Sequence, residues 1–160
     1  MTARTRFSAL ALALAAVLLG ATACSGDSKP QTSPEDTLAT AKKNLDDTSG
    51  VKIDPADYGA PDPADLMNPD GGLSSLLTAA QDVKEGDSVR NGKVVLRSFT
   101  GTVPGKDVKA VIPSAKASAD FDATFTVDDK DRLSKAVLKG PFYPKADSVI
   151  YSITFDDYGS

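Results

Sequence analysis

The feature that most constrains this chain is an alternation near its C-terminus. Val149, Tyr151, Ile153 and Phe155 interleave with Ser148, Ile150, Ser152 and Thr154. Successive residues of a strand point to opposite faces, so this stretch is a strand with one strongly apolar side. Phe121, Ala123, Phe125 and Val127 alternate in the same way with Asp122, Thr124 and Thr126. Asp128-Asp129-Lys130-Asp131 then reverses the chain as a solvated hairpin turn, and Leu133 to Leu138 runs back. Lys93 to Val103, rich in β-branched residues and threonine, is a further strand, although Arg97 falls in line with Val95 and Phe99. Pro104-Gly105 after it reads as a turn. Four strands on short connections imply an antiparallel meander with one greasy face. A helix or a ligand must cover that face.

Upstream the period is helical. Ser33 is placed to cap a helix, Pro34 fits its first position, and Asp36 stands where a capping-box acid sits. Leu38, Ala41 and Leu45 recur at helical spacing, and Ser49-Gly50 reads as the stop. So narrow an apolar stripe fits a helix lying on a sheet. Between Lys52 and Gly72 a short motif occurs twice, as Asp54-Pro55-Ala56-Asp57 and Asp62-Pro63-Ala64-Asp65. It lacks the alternate oxygen ligands and closing Glu of a calcium loop, and reads as paired turns or short helices capped by their own Asp side chains. Leu73, Leu76, Leu77 and Ala80 share the face of a second helix, and beyond Gly86 the period changes to that of a strand.

The N-terminus has a separate logic. Arg4 and Arg6 precede an uncharged run from Phe7 to Ala23, which ends in small residues before Cys24, the single cysteine of the chain. A positive start, a short apolar core and a small-residue exit are the parts of an export signal, and the run is too short and too polar for a membrane span. Leu18-Leu19-Gly20-Ala21-Thr22-Ala23-Cys24 resembles a bacterial lipobox, with Ala21 where Leu is usual. The expected organisation is a signal peptide at 1–23, a lipidated flexible tether at 24–33 and one domain at 34–160, anchored by Cys24 to the outer face of the cell membrane. The alternative is a secreted protein cut after Ala23 with one free thiol. Removing 23 of 160 residues leaves 137, with 16 Lys and Arg against 22 Asp and Glu, a formal charge of −6. An acidic surface argues against nucleic acid as a partner. Without a second cysteine, the fold rests on its apolar core.

Catalytic constellations are thin. The chain has no His, which excludes Ser-His-Asp and Cys-His arrangements. It carries no Gly-x-Ser-x-Gly elbow or Walker loop, and its aspartates cluster at turns. The reading is that this protein is not an enzyme and uses no cofactor or metal. Binding, carrying and envelope structure remain.

Three stretches resemble the LppX/LprA/LprF/LprG family of mycobacterial-type lipoproteins. One is the lipobox with the helix ending Asp46-Asp47-Thr48-Ser49-Gly50-Val51. Another is Lys52-Ile53-Asp54-Pro55-Ala56-Asp57-Tyr58-Gly59, continuing through Asp62-Pro63-Ala64 to Gly72-Leu73. The most specific runs from Phe99-Thr100-Gly101-Thr102-Val103-Pro104-Gly105 through Ile112-Pro113 and Phe121 to Asp128, then Gly140-Pro141-Phe142 and Tyr151 to Gly159. The resemblance implies an α+β fold: a bent antiparallel β-sheet, a half-barrel of the LolA/LolB kind, with helices on its concave face. It also implies a cavity for membrane lipids or triacylated glycolipids, carried across the envelope with a membrane lipid exporter. The lipid-facing wall is then expected to comprise Phe99, Phe121, Phe125, Val149, Tyr151, Ile153 and Phe155. Relatives usually have more strands after the first helix, whereas here Val51 meets Lys52 and Ile53 directly. A domain shortened in the middle is therefore expected, with a bare sheet edge near that junction. An incomplete cavity would leave a structural or surface-interaction lipoprotein with no cargo.

Overall fold

The computed structural model describes residues 32–50, 52–55, 66–143 and 148–159, with 53–55 described as backbone only. The signal at 1–23, Cys24, nearly all of the tether and most of the Asp-Pro-Ala-Asp repeat lie outside the described residues.

Helix α1 (Pro34–Asp46) begins as its sequence dictates. The Ser33 hydroxyl accepts a hydrogen bond from the Asp36 amide at 3.1 Å, satisfying one of the free N–H groups of the first turn. Pro34 loses nothing there, because its missing N–H would have had no helical partner. Thr37, Leu38, Ala41 and Leu45 are buried and form the stripe that meets the rest of the fold. Helix α2 (Leu73–Ala79) buries Leu73, Leu76 and Leu77 against it.

Six strands form one open antiparallel sheet: β1 (Lys52–Pro55), β2 (Gln81–Asn91), β3 (Val94–Pro104), β4 (Asp120–Val127), β5 (Leu133–Gly140) and β6 (Val149–Asp156). Their order across the sheet is β1-β6-β5-β4-β3-β2, so the last five are a meander and β1 closes its far edge. In register, Phe99 faces Phe125, Ala123 faces Leu138, and Leu138 faces Tyr151. One face is thus apolar from strand to strand. The other carries exposed Thr100, Asp122, Lys135 and Lys139.

Three expectations are corrected. The strand period starts at Gln81 rather than beyond Gly86. Strand β2 is an edge strand in which only Val83 is buried, so it lacks the apolar alternation that marks a half-buried strand. Pro104-Gly105 opens helix α3 (Gly105–Val111) rather than a turn. Gly105 is needed for close approach: a Cβ there would sit 2.0 Å from the Ala119 carbonyl oxygen. Finally, the stretch around Ile53 is itself the edge strand β1, paired from Lys52↔Asp156 to Pro55↔Ile153. Asp54-Pro55 therefore ends a strand instead of starting a helix, and proline is tolerated there because an edge strand has one ladder unpaired.

Candidate functional site

The apolar sheet face and the helices over it hold most of the buried side chains. Phe99, Phe121, Phe125, Tyr151, Ile153 and Phe155 are each 5% exposed or less, and Val149 is half-buried. All seven residues expected on a lipid-facing wall thus share one face. Six of them belong to one hydrophobic core, and Val149 packs against it. Phe99 and Phe125 meet across β3 and β4, whereas Phe121 and Tyr151 lie toward the opposite end from Phe155. Leu38, Ala41 and Leu45 of α1 and the leucines of α2 join the same core.

One end of the face is sealed by aromatic rings. Phe142 stacks obliquely on Phe121 with centroids 4.8 Å apart, and on Tyr151 at 4.5 Å. Offset and tilted pairs of this kind add to the burial of apolar area. Gly140 makes room, since a Cβ there would lie 2.3 Å from the Phe121 ring. The hydroxyls of Tyr143 and Tyr151 share a hydrogen bond at 3.0 Å. Burial, with that neighbour in second place, pushes the Tyr151 phenol up to about 12. Phe142 belongs to this face although the sequence does not reveal it, because a phenylalanine just after Gly140-Pro141 has no strand period to show its direction.

Charges close the other end. Arg97, which interrupts the greasy alternation of β3, pairs with Asp131 and lies 3.8 Å from Glu85, its guanidinium 5.5 Å from the Phe99 centroid. An Arg stem can cover apolar surface while its head stays in water, which is why it is tolerated at this rim. Asp128 accepts hydrogen bonds from the Lys130 and Arg132 amides, both at 2.9 Å, and from the Arg132 side chain at 2.8 Å. Burial raises the Asp128 pKa, but the hydrogen bonds and charge of Arg132 together with the Lys130 amide outweigh it, and the carboxyl lies below its ordinary value. The Arg132 guanidinium sits 5.2 Å over the Tyr158 ring, and the Tyr158 hydroxyl donates to the Leu133 carbonyl at 2.6 Å. Burial, reinforced by Asp128, drives that phenol far above the usual tyrosine range. Asn44 donates to the Lys130 and Asp131 carbonyls at 3.2 and 2.9 Å, tying the end of α1 to this turn.

Two clefts flank the Arg132–Tyr158 pair, each of about 460 Å³. One is lined by Asn91, Val94, Leu96, Leu133, Phe155 and Asp156 among others, the second by Asn44, Thr48, Ser49 and Lys130. Among the described residues no group of three or more Cys, Asp or Glu side chains is disposed to hold a metal ion, and no helix is long and apolar enough to cross a membrane. What this arrangement offers is a closely packed apolar layer beneath short helices, with two clefts lined largely by polar and charged groups at one end.

A family model described as LppX_LprAFG lipoprotein matches residues 31–160. The crystal structure of LprF from Mycobacterium bovis aligns with a TM-score of 0.62 at 11% identity, covering 79% of this chain and 93% of that one. At that identity the likeness shows the fold. The Mycobacterium tuberculosis lipoprotein LppX aligns at a TM-score of 0.44 and 18% identity, over 62% of this chain and 51% of that one. No curated protein matches the chain in sequence.

Proposed function

The chain belongs to the LppX_LprAFG lipoprotein family, and we propose that it is anchored through an acylated Cys24 and binds acylated lipids or glycolipids between its sheet and its helices. In this reading the domain stands outside the cytoplasm on the outer face of the cell membrane, and hands its cargo across the envelope together with a membrane exporter. One observation carries the reading. Strands β3 to β6 turn a largely apolar face to one side, and among the described residues it is roofed by helices of only 13, 7 and 7 residues. Helices this short are barely stable alone and owe their order to packing; in this reading acyl chains enter by displacing part of that roof from the sheet. Phe99, Phe121, Phe125, Val149, Tyr151, Ile153 and Phe155 would then line the cargo.

A specific observation also favours a second reading. Six of those seven side chains are already packed to 5% exposure or less, as in a protein core. A structural or surface-interaction lipoprotein, shortened in its middle and carrying no cargo, would look like this.

Mass spectrometry of organic extracts from the purified Cys24→Ala chain separates the two. Co-purified acyl lipid is expected, and an empty extract overturns the carrier reading. The anchor is tested apart from the cargo: Cys24→Ala should leave the membrane fraction and lose labelled fatty acid. Ala123→Phe then probes the wall, because overfilling a packed core destabilises by about 1–3 kcal/mol. Reduced lipid uptake with stability retained supports a cavity, while unfolding without a lipid defect supports plain core packing.

A further inference from the structure

The β2–β3 hairpin reaches past the rest of the sheet. Strand β3 pairs with β4 only from Arg97↔Val127 onward, whereas its pairing with β2 continues through Leu96↔Val89 and Val95↔Arg90 to Val94↔Asn91. Residues 89–96 therefore form a two-stranded ribbon that overhangs the sheet, turning at Gly92 with φ 61. A ribbon of two strands has little stability of its own in water, so a surface that receives it would stabilise it. Val89 and Val94 are 59% and 38% exposed, and the register places both on one face of the ribbon with Leu96.

The charge of the tip is opposite to that of the molecule. From Ser88 to Leu96 there are two cations, Arg90 and Lys93, and no acid, in a chain whose formal charge is −4. Neither cation makes an ion pair among the described residues. Exposed valines flanked by unpaired cations have the make-up of a membrane-interface contact: apolar side chains enter the headgroup boundary while cations meet lipid phosphates.

We propose that the overhanging β2–β3 tip docks on an anionic membrane surface, with Val89 and Val94 entering the interface and Arg90 and Lys93 pairing with lipid phosphates. Two valines and two cations bind weakly alone, so the tip acts as an orienting contact for a domain already held at the membrane. The acidic body is repelled from the same surface, which makes the tip the part that approaches. The contact does not depend on whether the domain carries lipid.

The absence of tryptophan from the chain provides a clean probe. Val89→Trp and Val94→Trp each place a single fluorophore at the tip, and Ile150→Trp places one at a 63% exposed position on the polar sheet face. The full chain carrying each change is incorporated into vesicles of phosphatidylcholine, with or without phosphatidylglycerol, containing brominated lipid as quencher. The tip tryptophans should shift to the blue and be quenched in the anionic vesicles, with little change in pure phosphatidylcholine, and Ile150→Trp should stay unquenched in both. Adding Arg90→Ser and Lys93→Ser should lower the inserted-to-free ratio of the tip on the order of 25-fold, about fivefold per cation near an anionic surface. Three results would overturn the proposal: a tip unquenched in the anionic vesicles, quenching equal at the tip and at Ile150→Trp, or a blue shift that needs no lipid and grows with protein concentration. The last would assign the tip to contact with a second copy. Two tip positions and thermal melting of each variant distinguish a misfolded probe from an undocked one.

Discussion

The two ends of the apolar sheet face are closed by different physics. At one end Phe121, Phe142 and Tyr151 interlock with ring centroids 4.5–4.8 Å apart, and Gly140 leaves room for them by having no side chain. At the other, Arg97, Asp131, Asp128 and Arg132 hold the rim by ion pairs and hydrogen bonds, beside clefts of about 460 Å³. Aromatic packing is dry and all-or-none, because a displaced ring loses its contacts outright. A partly exposed ion pair exchanges its partner for water at little cost. The aromatic end is therefore the more firmly held of the two.

That contrast can be broken most severely at the aromatic end. Phe121→Ala should cost roughly 3–5 kcal/mol in denaturant unfolding, the usual loss for a fully buried phenylalanine. A loss below about 1 kcal/mol would mean that this end is not the sealed one.

Asp128→Asn should cost less, on the order of 1–3 kcal/mol, by weakening bonds from two amides and one guanidinium. The pH dependence gives it a signature. Because the folded carboxyl lies below its ordinary value of 3.8, its contribution is complete above that value and is lost as pH falls through the folded one. Acid unfolding curves of the parent should therefore drop more steeply below pH 3.8 than those of Asp128→Asn, and parallel curves would remove Asp128 from the account.

Alkali should act on both ends, through Tyr158 at the charged one and Tyr151 at the aromatic one. Tyr151 is raised from 10.0 to about 12, so its contribution is complete below pH 10 and is lost as pH rises through 12. Ultraviolet titration of the phenolates should show Tyr151 ionising late, and Tyr143→Phe should bring its midpoint down.

The smallest effect is expected at Arg97. Its side chain and those of Glu85 and Asp131 are 28%, 33% and 38% exposed, so Arg97→Met should change stability by less than about 1 kcal/mol. A loss of several kcal/mol would make the charged rim as rigid a seal as the rings.

Much of the candidate face was legible before the fold was. Phe121 to Val127 and Val149 to Phe155 are buried on one side and wet on the other, and such strands write their period into the side chains. Helix α1 was equally readable, since Ser33, Pro34 and the Leu38, Ala41, Leu45 stripe act through bonds and contacts within a few residues. The same local rules placed the Asp128 turn, where a short carboxylate bonds the amides just after it.

What the tertiary structure alone decided lies at the edges and in the covering layer. Strands β1 and β2 carry little apolar alternation, because an edge strand is held by backbone pairing with a neighbour already in place. No residue in β2 besides Val83 had to be buried, so nothing in its side chains announced the strand. Helix α3 is seven residues long and sits where Gly105 lets the backbone approach Ala119, a contact created by residues fourteen positions apart. Sequence determined which side chains avoid water. Only the assembled fold decided that they meet one another beneath short helices, that rings close one end and charges the other, and that a hairpin overhangs the sheet. Those outcomes depend on pairing and packing between segments distant along the chain, where local spacing carries no information.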